Sequence, residues 1–135
     1  VIMKRLTSDS GVAAVEFALV VPILITLVLG IVEFGRGYNV QNAVSAAARE
    51  GARTMAIKKD PAAARAAVKG AGVFSPAITD AEICISTSGS QGCSATSCPS
   101  GSTVTLTVSY PLEYMTGLFP GKPTLTGTGV MRCGG

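Results

Sequence analysis

The side chains best equipped for chemistry in this 135-residue chain are four cysteines, Cys84, Cys93, Cys98 and Cys133, and eight carboxylates; histidine and tryptophan are absent. Without histidine the usual general base at neutral pH and the commonest metal ligand are missing, and Ser-His or Cys-His nucleophiles are excluded. Asp80, Glu82 and Glu113 stand apart in sequence and read as solvated loop carboxylates, not as an acid/base pair. Gly121-Lys122-Pro123 lacks both the glycine-rich lead and the hydroxyl residue of a phosphate loop, so it reads as a turn. Cys93-x4-Cys98 approaches a zinc-ligand spacing, but Cys84 and Cys133 are distant singletons, and disulfides in an oxidising compartment fit four cysteines better than a metal. Three pairings are open; one of them closes a small loop with Cys93 and Cys98 and links two strands through Cys84 and Cys133. No catalytic residue, metal or cofactor is expected, and the chain reads as a non-enzyme.

The remaining reactive group is Glu16, and its surroundings give it meaning. The chain is 47% apolar and only 14% charged, whereas charged residues make up about a quarter of ordinary soluble chains. The apolar excess is concentrated in GVAAVEFALVVPILITLVLGIV, residues 11–32, where Glu16 is the single charge. As a helix this stretch is roughly 33 Å long, enough for a hydrocarbon core of roughly 30 Å. A removable secretory signal fits less well, although Lys4 and Arg5 would supply its basic start: the run is too long, and Glu33-Phe34-Gly35-Arg36 follows it instead of a small-residue cleavage site. A chain with room for one small domain could hardly bury such a helix on every side. A carboxylate inside a span costs several kcal/mol unless paired or neutralised, so Glu16 is read as functional, with a free α-amino group as its best partner. Pro22 removes an amide donor in mid-span, a defect that neighbouring helices can offset in a membrane.

The basic residues on the two sides of the span do not fix its orientation, but all four cysteines follow it, which places the C-terminal part outside the cytoplasm. With a net charge of +3 spread along the chain and few aromatics, there is no nucleic-acid footprint.

Beyond the span, Val40, Ala43, Val44, Ala47, Gly51 and Met55 recur at helical spacing within residues 38–57, so the helix is expected to continue, bent near Gly35 and Gly37. Its small residues Ala43, Ala47 and Gly51 would allow close approach either of like subunits or of the chain's own C-terminal domain. Asp60-Pro61 predicts an N-cap and first helical residue, opening a short helix that Gly70 and Gly72 stop. Residues 82–86 and 103–110 alternate polar and apolar as strands do, with Pro111 ending the second. A third strand is expected at 125–133, weakened by Gly127 and Gly129. The Ser/Gly-rich segment between the first two strands would be floppy unless tied. The expected fold is α+β: a long N-terminal transmembrane α-helix extending into an Ala-rich stalk helix, then a small antiparallel β-rich C-terminal domain with disulfides.

Gly11-Val12-Ala13-Ala14-Val15-Glu16-Phe17, preceded by Lys4 and Arg5, resembles the processing site of type IV pilin-like proteins. More narrowly, GVAAVEFALVVPILITLVLGIVEFGR followed by AAREGAR resembles the TadE-like proteins of the tight adherence (Tad/Flp) pilus system, over residues 8–56. The resemblance implies cleavage after Gly11 by a prepilin-type peptidase, with Val12 as the new N-terminus, Glu16 as its fifth residue and Phe17 next. It implies assembly through the apolar helix, Glu16 meeting the α-amino group of a neighbouring subunit and Pro22 lying within the packed run. It implies residence in the bacterial cytoplasmic (inner) membrane as a single-pass protein, N-terminus cytoplasmic and C-terminal domain extracytoplasmic, with the pilus or cell surface as a further destination. Implied partners are other pilins and pseudopilins, pilus platform proteins and, indirectly, the motor ATPase. Major pilins of this type are very short, so the long exported part favours a minor component. The corresponding divisions are a leader at 1–11, a transmembrane helix at 12–35, Ala-rich stalk helices at 36–72 and the β-rich exported domain at 73–135. The rival reading from a different class is a bitopic, membrane-anchored extracytoplasmic binding module with no filament role. Read without the resemblance, Gly11 is a loop glycine before a helix that Ser8, Asp9 or Ser10 could cap.

Overall fold

The computed structural model describes residues 9–90 and 92–134. The expected basic start at Lys4 and Arg5 and a cap at Ser8 lie outside the described residues. The chain forms two compact units, Val1–Gly35 and Arg36–Gly135. Helix α1 (Asp9–Lys58) contributes to both, and its helical assignment is unbroken through Gly35 and Gly37. Gly11 therefore lies in the first turns of a helix and not in a loop.

In the second unit, α1 ends where Lys59 turns left-handed at φ 55°, its N–H donating to the Met55 carbonyl at 2.9 Å. Asp60 then caps α2 (Pro61–Gly70) as its sequence predicts: the Asp60 carboxylate accepts from the Ala62 N–H at 3.0 Å, and Pro61 fills a position whose amide would have had no partner. A single 3-10 turn at Asp80–Glu82 leads into β1 (Ile83–Thr87), followed by β2 (Thr103–Pro111) and β3 (Thr124–Arg132). The strands form an antiparallel sheet in the order β1-β2-β3.

Period-two alternation gives this sheet one apolar face. Ile83, Ile85, Val104, Leu106 and Val108 are buried on it and join Val44, Ala47, Ala48, Ala52 and Met55 of α1 and Ala64 and Val68 of α2 in one core. The small residues of α1 thus serve packing on the chain's own sheet, one of the two uses that the sequence allows. The counterpart lies in β3. A Cβ on Gly127 would stand 2.6 Å from the Val44 carbonyl oxygen, and one on Gly129 would overlap the Ala48 carbonyl. These glycines, which weaken β3 as an isolated strand, let helix backbone and strand backbone touch. Gly51 answers from the helix side, where a Cβ would meet Leu106 Cδ1 at 2.7 Å.

The two sheet edges differ. Along β1 every outward backbone carbonyl has a donor: Arg65 Nη1 for Ile83 (3.0 Å), the Ala95 N–H for Ile85 (3.1 Å) and the Ser90 N–H for Thr87 (3.0 Å). The Thr87 N–H in turn donates to Ser90 Oγ. On β3 the ladder is framed by Leu112 N–H to Pro123 C=O and Cys133 N–H to Ser102 C=O. Alternation between those pairs turns the amides and carbonyls of Thr126, Thr128 and Val130 outward. Among the described residues, Gln41 Nε2 donates to the Thr126 carbonyl at 2.9 Å, and no further strand lies beside β3.

Candidate membrane and assembly segment

In the first unit, the stretch from residue 11 to residue 35 is helical, and none of its most apolar 18-residue window is buried. Phe17, Leu19, Ile23 and Ile31 are each more than 60% exposed. Sixteen or more apolar side chains turned outward around a helix would be untenable in water, so their partner is a bilayer or other helices. Glu16 is exposed on this surface, and Val12 sits one turn before it on the same face, four residues away. Phe17 follows Glu16 outward. A Cβ on Gly11 would meet nothing within 4 Å, so among the described residues nothing else packs against this position.

Pro22 lies inside the helix, as its position in the run predicts. One turn later Thr26 Oγ1 donates to the Pro22 carbonyl at 2.8 Å. Apart from Glu16, Thr26 holds the only polar side chain between residues 12 and 32, and this bond satisfies its hydroxyl without a second helix. Sequence reading overlooks Thr26, although a lone hydroxyl one turn past a proline is a usable signal.

The other site residues are the cysteines, and the structure chooses among their pairings. Cys84 is bonded to Cys93 and Cys98 to Cys133, with Cα separations of 4.5 and 5.5 Å. The alternative that joined Cys84 to Cys133 is overturned by topology. Those residues belong to opposite edges of the sheet, which lie about 10 Å apart with β2 between them, and the register sets Thr128, not Cys133, level with Cys84, so the pair is beyond the reach of a disulfide. Their side chains also take opposite faces: Cys133 is buried with the core, whereas Cys84 alternates with the buried Ile83 and Ile85. With all four sulfurs in disulfides, no thiolate is left for zinc. The two bonds tie the Ser/Gly-rich segment at both sides, and the Ile85–Ser94 bridge lays it along β1.

The carboxylates of the second unit are paired on its surface. Lys69 Nζ lies 2.8 Å from Asp80 Oδ1 and, as a hydrogen-bond donor and a positive charge, holds that carboxyl below its ordinary range. Lys122 does the same for Glu113. The Glu82 carboxylate instead accepts from the Thr79 N–H at 2.8 Å. Tyr110, buried, has its hydroxyl pushed up by desolvation while it donates to the Pro76 carbonyl at 2.8 Å. The three carboxylates therefore have structural partners and are not gathered as an acid/base pair. A shallow hollow of about 310 Å³ beside the Ser/Gly-rich segment is lined by groups such as Thr87, Ser90, Thr96 and Ser102, with no charged or aromatic side chain.

Residues 11–53 match the family model described as TadE-like protein. The match covers the whole apolar run, Gly11, Glu16 and Pro22 included, and reaches into the part of α1 that packs on the sheet. Comparison with curated proteins and with solved structures returns no match.

Proposed function

Starting from a chain that is TadE-like over residues 11–53, we propose that it is a membrane-anchored minor subunit in the assembly of a tight adherence type IV pilus. A TadE-like segment joined to an apolar helix of spanning length fits a membrane-anchored, pilus-associated component. The observation that carries the finer reading is Glu16, the single carboxylate on an otherwise apolar and exposed helical surface.

A prepilin-type peptidase cuts after Gly11 and creates an α-ammonium at Val12. Glycine costs a helix about 1 kcal/mol relative to alanine, so the turn around Gly11 opens cheaply for the protease. In the bilayer, Glu16 of one copy meets the Val12 ammonium of another pilin or pseudopilin. Paired, each ion sheds much of the penalty it would bear alone, and the pairing fixes the axial register of the two helices. Pro22 weakens the helix's own ladder at mid-span, which suits a segment that leaves lipid for a helix bundle. The N-terminus faces the cytoplasm and the disulfide-tied domain faces outward from the inner membrane. Platform proteins and the motor ATPase do the work, and the role of this chain is structural.

The test is piliation. Glu16→Leu should insert at least as well as the parent and abolish incorporation or pilus formation, whereas a plain anchor would tolerate it. Normal piliation with Glu16→Leu overturns the assembly role. N-terminal sequencing of membrane-extracted protein should read from Val12 in cells with the peptidase; an uncut leader there overturns the cleavage.

A further inference from the structure

We propose that the loop between β2 and β3 is a second membrane contact, an apolar tip resting in the headgroup layer beside the point where α1 leaves the bilayer. The proposal rests on the membrane-spanning reading of residues 11–32 and goes beyond it.

Position comes first. Arg36 is four residues past Val32, about 6 Å along a helix, and the headgroup layer on each side of a bilayer is about 5–8 Å thick. Arg36 therefore sits at about headgroup level. Its Nη1 donates to the Glu113 carbonyl at 2.6 Å, and a Cβ on the next residue, Gly37, would lie 3.3 Å from Leu112 Cδ2. The start of the loop is thus fastened to the same level.

Composition comes second. Met115, Leu118 and Phe119 are 74%, 54% and 44% exposed, and the Phe119 ring lies 5.5 Å from that of Tyr114. Elsewhere in the second unit, exposed large apolar side chains are single residues or the Val130-Met131 pair. Their concentration in one loop marks a surface with a partner. An aromatic pair, flexible apolar side chains and a long cation suit the interface, where amphipathic groups bury their bodies and keep their polar ends in water. The loop's carboxylate, Glu113, is ion-paired with Lys122, which lessens repulsion by anionic lipid.

The absence of tryptophan makes the test direct. Single-tryptophan variants Phe119→Trp, Leu118→Trp, Val73→Trp and Ile25→Trp of the full chain are reconstituted in phosphatidylethanolamine/phosphatidylglycerol vesicles. Parts of the lipid are brominated at shallow or deep acyl positions. With the loop in the interface, Phe119→Trp and Leu118→Trp emit to the blue of Val73→Trp and are quenched by shallow bromines. Their acrylamide quenching falls about twofold or more, as expected for a group buried roughly 5–10 Å into the headgroup boundary. Ile25→Trp reports the span through deep bromines. If Ile25→Trp is quenched while both loop variants behave like Val73→Trp, the loop contact is overturned and the span stands. If Ile25→Trp is not quenched, the membrane reading and the loop contact fall together. Acrylamide protection of the loop without bromine quenching assigns it to protein contacts and also overturns the proposal.

Discussion

At the scale of single residues, the charged pairs of the second unit add a little to its stability. Asp80 and Glu113 both have carboxyl groups held below their ordinary range by lysines. A group whose folded value is depressed contributes above its unfolded value and loses that contribution as pH falls through the folded one. Thermal melts of the full chain in detergent should therefore show a small loss of stability on acidification through and below the ordinary carboxylate range. Lys69→Met with Lys122→Met should flatten that part of the profile. Both pairs are exposed, so the effect is small beside the core. Lys59 offers a larger gain. A non-glycine residue in the left-handed region is strained by roughly 1 kcal/mol, and helix ends favour glycine there. Lys59→Gly should raise the unfolding free energy, and with it the denaturation midpoint, by up to about 1 kcal/mol less what glycine returns to the unfolded chain. An unchanged or lower midpoint would show that the Lys59 Nζ to Ser100 Oγ hydrogen bond at 3.0 Å outweighs the strain.

The scale of elements is where helix and sheet meet. Alternation and helical spacing place β1, β2, α2 and the run of α1 within a residue or two of where they lie, because each pattern is local. The third strand was legible with its weakness, Gly127 and Gly129, but the reason for those glycines was not. It depends on the backbone of residues 44–49, some eighty positions earlier in the chain. Gly127→Ala and Gly129→Ala should each cost about 1–3 kcal/mol or more, since the atoms they would meet are backbone and cannot rotate away. Chemical denaturation of the two variants measures it; parental stability in both would mean that helix and sheet do not approach as described. The same distance in sequence hides the choice between like-subunit bundling and self-packing for Ala47 and Gly51. Small residues state that something comes close without stating what.

At the scale of the whole molecule, two disulfides add to the core of the second unit by constraining the chain around the Ser/Gly-rich segment. Cys98–Cys133 closes a loop of sequence separation 35 and Cys84–Cys93 one of 9. Opening the longer one, as Cys98→Ser with Cys133→Ser, should cost about 2–4 kcal/mol. Opening the shorter should cost less. It should also speed hydrogen exchange at Ala95, whose amide seals the β1 edge through the Ile85 carbonyl. Unaltered exchange at Ala95 would show that the Ser/Gly-rich segment holds its place without the bond.

What the sequence determined by itself was everything that composition and local period can carry. An apolar run of spanning length with one carboxylate and one proline, a TadE-like pattern around Gly11 and Glu16, an Asp60-Pro61 helix start and alternating strands are properties of neighbouring residues. Tertiary structure alone decided which cysteines pair, because the order of the strands and the face each sulfur takes are set by the sheet and not by spacing. It alone set Gly127 and Gly129 against the α1 backbone at Val44 and Ala48, and Gly51 against Leu106. It alone brought the β2–β3 loop to Arg36, since a contact across 77 positions leaves no mark in either segment.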